Sequence, residues 1–265
     1  MEMDLNFNET WLHKINPTLK LFTMMILFIF VLFVHQLNWL INLTIGALIL
    51  LWFFSGHPKK RISLLLIPFL IIFISTSSSM ILFGKGDTTW VKWGLVHITE
   101  ESFYRGFHLG FRALIFATLG LTFALTTRPV NLFYSLMQQV KLNPKYAYSF
   151  MAGLRLIPIM VEEFLTIRNA MKVRGVQQQR GLRAFYFKIK SYSIPLLSQS
   201  IRRAHRIAVA MEAKRFTGVG GRTYYYKLGF SVNDGIFVAY LGVIILLGYY
   251  LSVVWPLFPV GDVRY

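Results

Sequence analysis

Long apolar runs separated by short polar stretches fill the first half of the chain, and one more apolar run lies near its end. A helix of about 20 apolar residues is long enough to cross the hydrocarbon core of a bilayer. The runs predict five membrane-spanning helices, at residues 19–34, 37–54, 62–83, 106–125 and 235–255. The predicted fold class is therefore an all-α integral membrane protein.

The middle of the chain is also helical in pattern, but it is too polar to span a membrane. Pro129 is suited to the first turn of a short helix ending near Lys141, and Asn143-Pro144 places a capping residue before a proline at the first helical position. The long helix that starts there is predicted to end at Gly175. Apolar residues recur along it every three or four positions: Ala147, Phe150, Leu154, Ile157, Val161 and Phe164. A third helix repeats this spacing: Leu197, Ile201, Ala204, Ala208 and Met211.

The two long helices also resemble each other in sequence. Each has an Ile-Pro pair, 157–158 in one and 194–195 in the other, and each ends in cationic residues. A proline inside a helix removes a backbone hydrogen bond and presses on the preceding turn, so Pro158 and Pro195 are predicted hinges. We define the first tip as Val173, Arg174 and Gly175, and the second tip as Lys214, Arg215 and Phe216. The repeat indicates two arms that each present positive charge to another molecule.

Positive charge is concentrated in this middle region. The formal net charge is +17, and residues 128–227 carry 18 Lys and Arg against three Glu. Because short cytoplasmic loops collect Lys and Arg, this region and the Lys59-Lys60-Arg61 loop are predicted to be cytoplasmic. The N-terminus is then cytoplasmic, and five spans place the C-terminus outside. We predict a multi-pass protein of the cell membrane with spans one to four at 1–127, a cytoplasmic domain of long helices at 128–229, and a last span with an external end at 230–265.

Composition excludes several classes of function. Without Cys there is no disulfide or thiolate metal site, and no other metal-ligand set is visible. The chain has no Gly-x-x-x-x-Gly-Lys-Ser/Thr phosphate loop, and its middle offers only three carboxylates for catalysis. No base-reading module accompanies the positive charge, so no nucleic acid is expected as a partner. The like charges of Arg202 and Arg206, one turn apart, favour an anionic partner or a lipid headgroup.

Polar and small residues inside the spans are mostly predicted to be structural. A stripe of small residues in span four predicts close contact with another helix along its length: Gly106, Gly110, Ala113, Ala117, Gly120 and Ala124. Arg112, near the outer end of the span with His108 one turn away, is either a functional residue or one that extends to the interface. The Ser75–Ser79 run either lines a polar path or bonds to nearby backbone, and the second reading is favoured.

The ordered set of motifs resembles one family, the transmembrane component of energy-coupling factor transporters, also called the T-component or the CbiQ-like family. Residues 12–20, Leu-His-Lys-Ile-Asn-Pro-Thr-Leu-Lys, are similar to the start of the family's first span. Residues 126–129, Thr-Thr-Arg-Pro, are similar to the stretch before its coupling helices. The strongest similarity lies in 154–158 with Glu162-Glu163, in 170–175 and in 194–216. It extends over nearly the whole chain.

The resemblance implies a coupling subunit of a vitamin or micronutrient importer. Its tips would contact two cytosolic ATPase subunits, which bind the ATP and Mg²⁺, while this chain binds no cofactor and catalyses nothing. Apolar positions on the arms would face a membrane protein that binds the substrate, the S-component: Phe150, Leu154, Ile157, Leu197, Ile201 and Ala204.

The second tip departs from the family's usual Ala-Arg-Gly. It has Lys214 where arginine is usual and Arg215 where glycine is usual, whereas the first tip keeps Arg174 and Gly175. The planar fork of an arginine suits a carboxylate better than an ammonium does, which favours Arg215 as the stronger contact with Lys214 in support. The asymmetry predicts that the arms face two different ATPase subunits.

A self-sufficient secondary transporter or channel with a basic cytoplasmic domain is the alternative. Such proteins place ionisable residues or broken helices near the bilayer midplane, in paired halves. Here the first four predicted spans contain no Asp or Glu, and the repeat lies outside the predicted spans. The sequence therefore favours a coupling subunit.

Overall fold

The computed structural model describes residues 8–84, 86, 88–93, 96–175, 181–216 and 223–258, with side chains described except at 91–93, 96–97 and 182–184. Over these residues the chain forms a 3₁₀ helix, Trp11–Lys14, followed by α-helices and one antiparallel hairpin of β1 (Thr89–Trp93) and β2 (Val96–Thr99). The helices are α1 (Pro17–Phe33), α2 (Leu37–Phe54), α3 (Lys59–Phe83), α4 (Glu100–Thr126), α5 (Pro129–Gln139), α6 (Pro144–Val173), α7 (Leu182–Ala213) and α8 (Val232–Val254). The all-α class is confirmed, with a hairpin that the hydropathy pattern did not reveal.

Four of these helices are long and apolar enough to cross a membrane: α2, α3, α4 and α8. The 17 residues of α1 lie at the lower limit for a span. The chain is thus a multi-pass membrane protein, while the sidedness of its termini stays a prediction.

Helices α3 and α4 begin earlier than the apolar runs. The Lys59-Lys60-Arg61 triplet forms the first turn of α3, and Glu100 begins α4. The start of α4 is fixed by a capping box, in which the Ser102 amide donates to Thr99 Oγ1 at 3.2 Å and the Thr99 amide donates to Ser102 Oγ at 3.0 Å. Hydropathy detects only the apolar segment of each helix and misses the polar first turn, which at α4 is set by the capping box.

The helices form two compact units. One contains the described residues of 1–132 and 228–265, and the other those of 133–227. Helices α1 to α4 and α8 belong to the first unit, and α6 and α7 to the second. The apolar core of the first unit is built from buried residues of α1, α2, α4 and α8: Leu27, Val31, Leu40, Leu43, Leu50, Ile115, Leu119 and Phe237.

Glycines of α4 allow it to pack closely on α3. A Cβ on Gly106 would lie 2.6 Å from Ile81 Cγ1, and one on Gly110 would lie 2.1 Å from Ser77 Oγ. At Gly120, however, no atom of another described part of the chain lies within 4 Å of such a Cβ, and Ala124 is exposed. The close contact predicted along the whole stripe is therefore present at Gly106 and Gly110 but absent at Gly120, so the prediction of a continuous contact is wrong there.

Polar groups of α4 cap the end of α1. The Arg112 Nη2 donates to the carbonyl oxygens of Leu32 and Val34 at 3.3 and 3.0 Å, and His108 Nε2 lies 3.1 Å from the same Val34 oxygen. The last carbonyls of a helix have no partner within it, and cations near them are favourable. Arg112 and His108 thus have a structural role that accounts for both. In the Ser75–Ser79 run, the Thr76 and Ser78 hydroxyls donate to carbonyls of their own helix.

Helices α2 and α8 are joined by side-chain to backbone hydrogen bonds. Trp39 Nε1 donates to the Ile245 carbonyl at 3.3 Å, and Asn42 Nδ2 donates to the Gly248 carbonyl at 3.0 Å. Asn38, at the start of α2, bonds to the segment that follows α8: its Nδ2 donates to the Phe258 carbonyl and its Oδ1 accepts from the Phe258 amide. Later in α2, the Gly46 carbonyl accepts from Tyr240 Oη at 3.2 Å. Positions 39–42 of α2 thus meet 245–248 of α8 and position 46 meets 240, so the two helices are antiparallel.

Candidate coupling surface

The predicted arms are the two longest helices of the described chain, α6 and α7. At a rise of 1.5 Å per residue each is roughly 45 Å or more in length. The Asn143 side chain accepts from the Lys145 amide at 2.9 Å, which confirms the predicted cap. Both helices continue through Pro158 and Pro195, and both prolines are exposed. Hinge motion at these prolines stays a prediction.

The first tip ends α6 with a glycine in the left-handed conformation. Gly175 has φ +71°, and its amide donates to the Lys172 carbonyl at 3.1 Å. Arg174 immediately before it is the C-cap residue, with φ −77° and ψ 0°. Val173 is 89% exposed, and Arg174 is exposed beside it. The glycine ends the helix in a left-handed conformation, and the arginine lies at the end of the helix.

The second tip has the same backbone geometry without a glycine. Arg215 has φ +51°, and its amide donates to the Glu212 carbonyl at 2.8 Å, while the Phe216 amide donates to the Met211 carbonyl at 2.9 Å. These two bonds define a Schellman motif, in which the left-handed position is usually glycine. A side chain there costs about 1 kcal/mol. The second tip therefore contains backbone strain that the first tip lacks.

Backbone conformation shows which residues of the two tips are equivalent. Lys214 is the C-cap residue of α7, with φ −84° and ψ 11°, as Arg174 is of α6. Arg215 matches Gly175, since both follow the C-cap with positive φ. By position, Lys214 is the counterpart of Arg174, whereas side-chain chemistry favoured Arg215. Both residues are exposed.

Phe216, the third residue of the second tip, packs within its own unit. Its ring lies 5.4 Å from that of Tyr148 on α6, edge to face. Tyr134 of α5 lies 6.4 Å from Tyr148 and 5.7 Å from Tyr226. This aromatic cluster joins α5, the start of α6 and the end of α7. The sequence analysis missed it; the signal was the repeated tyrosine of Tyr146, Tyr148 and the 224–226 segment.

Helices α6 and α7 contact each other near their middles. Arg203 and Glu163 form a salt bridge, and the Phe164 ring lies 5.2 Å from that of Tyr192, which is 8% exposed. Glu163, the second of the two adjacent glutamates, thus forms an ion pair with Arg203 of the other arm. Both ionic side chains are largely shielded from water, so removing either partner would leave the other charge poorly compensated.

The apolar arm positions lie mostly outside this contact. Large side chains at four of them are well exposed: Phe150 63%, Ile157 59%, Leu197 61% and Ile201 67%. Ala204 is exposed, Leu154 is half-buried, and Phe150 also stacks on Phe133 at 5.3 Å between ring centres. An exposed set of large apolar side chains on regular helices is typical of an interaction surface. The structure therefore leaves these residues accessible to a partner or to lipid.

These features define an all-α multi-pass membrane protein with a pair of long, basic helices ending in cationic tips. The family model described as CbiQ, cobalt transport protein, matches residues 8–225. The chain therefore belongs to the CbiQ family of cobalt transport proteins, which confirms the resemblance found in the sequence. The match includes α1 to α7 and both tips.

Curated relatives are named energy-coupling factor transporter transmembrane protein EcfT. The relative from Listeria innocua is 30% identical, over 89% of this chain and 92% of its own length. The relative from Streptococcus thermophilus is 27% identical, over 92% of this chain and 95% of its own, and that from Brevibacillus brevis is 29% identical, over 90% and 92%. The similarity thus extends from end to end and identifies transport components as the relatives of this chain.

Proposed function

We propose that this chain is the coupling subunit of an energy-coupling factor importer for a vitamin or other micronutrient. The paired helices α6 and α7, each ending at an exposed cation on the same backbone geometry, carry the proposal. Arg174 and Lys214 each occupy the C-cap position of an arm and offer hydrogen-bond donors to a carboxylate in an ATPase groove. The two ATPases bind ATP and Mg²⁺ and hydrolyse the ATP, and this chain transmits their closure.

The exposed apolar positions of the arms supply the second half of the proposal. Phe150, Ile157, Leu197 and Ile201 form a surface suited to the apolar side of a membrane S-component. Because the first tip ends Arg174-Gly175 and the second Lys214-Arg215, we propose two different ATPase subunits as partners. One ATPase would bind a guanidinium followed by a glycine. The other would bind an ammonium followed by a guanidinium.

Charge reversal at the tips tests the function. The variant Arg174→Glu, Lys214→Glu, Arg215→Glu is expected to lose co-purified ATPases and substrate uptake by at least about tenfold, because like charges then face each other. The control reverses three exposed lysines at the opposite ends of the arms: Lys145→Glu, Lys188→Glu and Lys190→Glu. The net charge changes equally in both. Full uptake by the tip variant would refute the assignment of the tips.

The alternative of a self-sufficient transporter is disfavoured by the roles of ionisable groups in the first unit. Arg112 caps the α1 carbonyls, Lys20 Nζ donates to Thr126, and the buried Asp234 accepts from two backbone amides. Each of these charged side chains is hydrogen-bonded to groups of the protein itself, so none of them is left to bind a transported substrate. The purified chain alone in liposomes is expected to move no substrate, and movement would establish the alternative.

A further inference from the structure

The chain passes from the first unit to the second and back again through two short segments, and both begin or end beside α1. On the outward path α4 ends at Thr126, and Thr127-Arg128 lead to Pro129 at the start of α5. On the return path 228–231 lead into α8, which begins at Val232. Any force transmitted along the backbone between the units passes through these two segments.

The outward segment is held by Lys20, in the first turn of α1. Its ammonium donates to Thr126 Oγ1 at 2.8 Å and to the Leu12 carbonyl at 2.7 Å, and it lies 3.4 Å from the Thr126 carbonyl and 3.5 Å from Thr127 Oγ1. Lys20 is 1% exposed. A buried ammonium requires such oxygen partners, because an unpaired charge there is very unfavourable. The last turn of α4 is thereby fixed to the first turn of α1.

The return segment is held by Asn16, the N-cap residue of α1. Its amide donates to Asp234 Oδ1 at 2.7 Å, and its Nδ2 donates to the Gly229 carbonyl at 3.2 Å. The other Asp234 oxygen accepts from the Ser231 amide at 2.7 Å. Asn16 and Asp234 are each 3% exposed. One helix start thus binds the backbone on both paths between the units.

The exposed ion pair nearby has a different character. Arg128 Nη2 lies 2.7 Å from Glu9 Oε1, but both side chains are more than half exposed. An exposed pair of this kind contributes little. The fixing of the outward path therefore depends on the buried ammonium.

We propose that the start of α1 is a clamp that transmits motion of the coupling helices to the membrane helices, with Lys20 as its positioning residue. The proposal rests on the proposed function. Apolar packing stabilises a helix junction at less desolvation cost than a buried cation does. Hydrogen bonds, unlike apolar packing, are directional. Those from Lys20 to Leu12, Thr126 and Thr127 therefore hold the outward segment in one position relative to α1. The predicted role is in coupling as well as in stability.

The test compares Lys20→Met and Thr126→Val with wild type in the complete complex, reconstituted in liposomes. Lys14→Met is the matched control, because Lys14 is exposed in the same segment. ATP hydrolysis and substrate uptake are measured on the same intact complex, and their ratio is taken. We expect the two clamp variants to bind both ATPases and hydrolyse ATP, with substrate moved per ATP reduced at least about fivefold.

Three outcomes overturn the proposal. An unchanged ratio, with uptake and hydrolysis falling together, shows that Lys20 acts only on stability. A fall in the ratio for Lys14→Met as large as for Lys20→Met shows that the effect is not specific to the clamp. Failure of both clamp variants to assemble, while wild type assembles, makes Lys20 a folding residue. If wild type itself binds no ATPases, the proposed function fails, and that result is separate from the clamp.

Discussion

Single residues separate the two tips in conformation as well as in charge. Arg215 adopts the left-handed backbone that Gly175 adopts without strain. Glycine has no Cβ, so it relieves the clash that an L-residue suffers at this position. A glycine suits this backbone turn, and the arginine at 215 adds a second cation at a cost in stability.

Exchanging these residues gives the first prediction. Arg215→Gly is expected to raise the free energy of unfolding by about 1 kcal/mol, because it removes the left-handed strain. It is also expected to bind the ATPases more weakly without losing them, because the guanidinium is removed while Lys214 remains as the C-cap cation. Thermal unfolding of the purified protein and co-purification measure the two effects. The reverse change, Gly175→Arg, is the control and should destabilise by a similar amount; equal stability of both variants and wild type would contradict the strain.

At the scale of elements, helix ends with local chemistry were predictable. Asn143-Pro144 and Gly175 mark the start and end of α6 because a cap and a left-handed turn involve neighbours in sequence. The partners of Lys20 were not predictable, since Thr126 lies 106 residues away and a lysine in an apolar run reads as a topology signal. The missing contact at Gly120 could not be predicted for a similar reason. Spacing shows which residues share a face, but not where the neighbouring helix contacts it.

The close packing of α3 on α4 leads to a prediction for two glycines of α4. Gly110→Leu is expected to destabilise by about 1–3 kcal/mol, because its Cβ would overlap Ser77 Oγ and the Phe73 ring. Gly120→Leu has open space and a better helix former, so it should be neutral or mildly stabilising. Thermal unfolding in detergent measures both. Equal melting temperatures for the two variants would show that the close approach at Gly110 is not required.

At the scale of the whole molecule, stability is expected to depend on pH through His13. Burial, together with the positive charge of Lys20, lowers the pKa of His13 below its usual 6.5. Its Nδ1 also accepts from the Thr10 amide at 3.2 Å, which requires this nitrogen to be unprotonated. The unfolded chain binds the proton more readily than the folded chain. Stability is therefore complete above the unfolded pKa and is lost as the pH falls from there towards the folded pKa.

The measurement is the melting temperature from about pH 7.5 to about pH 5. His13→Gln should show a shallower fall than wild type, because it has no proton to bind at this position. His57→Gln is a useful comparison, since the His57 ring lies 6.4 Å from His13. Identical pH slopes for wild type and His13→Gln would show that another group controls the acid response.

The hydrogen bonds between α2 and α8 have a consequence for biosynthesis. The Trp39 side chain bonds to a carbonyl 206 residues later in the chain, so its partner does not exist when α2 is made. At ribosomal rates of about 5–20 residues per second, α2 waits roughly 10 to 40 s before α8 emerges. During that time the polar groups of Asn38, Trp39 and Asn42 have neither this helix nor its carbonyls to bond. Until the last helix is inserted, these side chains at the start of α2 must bond to other groups, such as water or lipid headgroups.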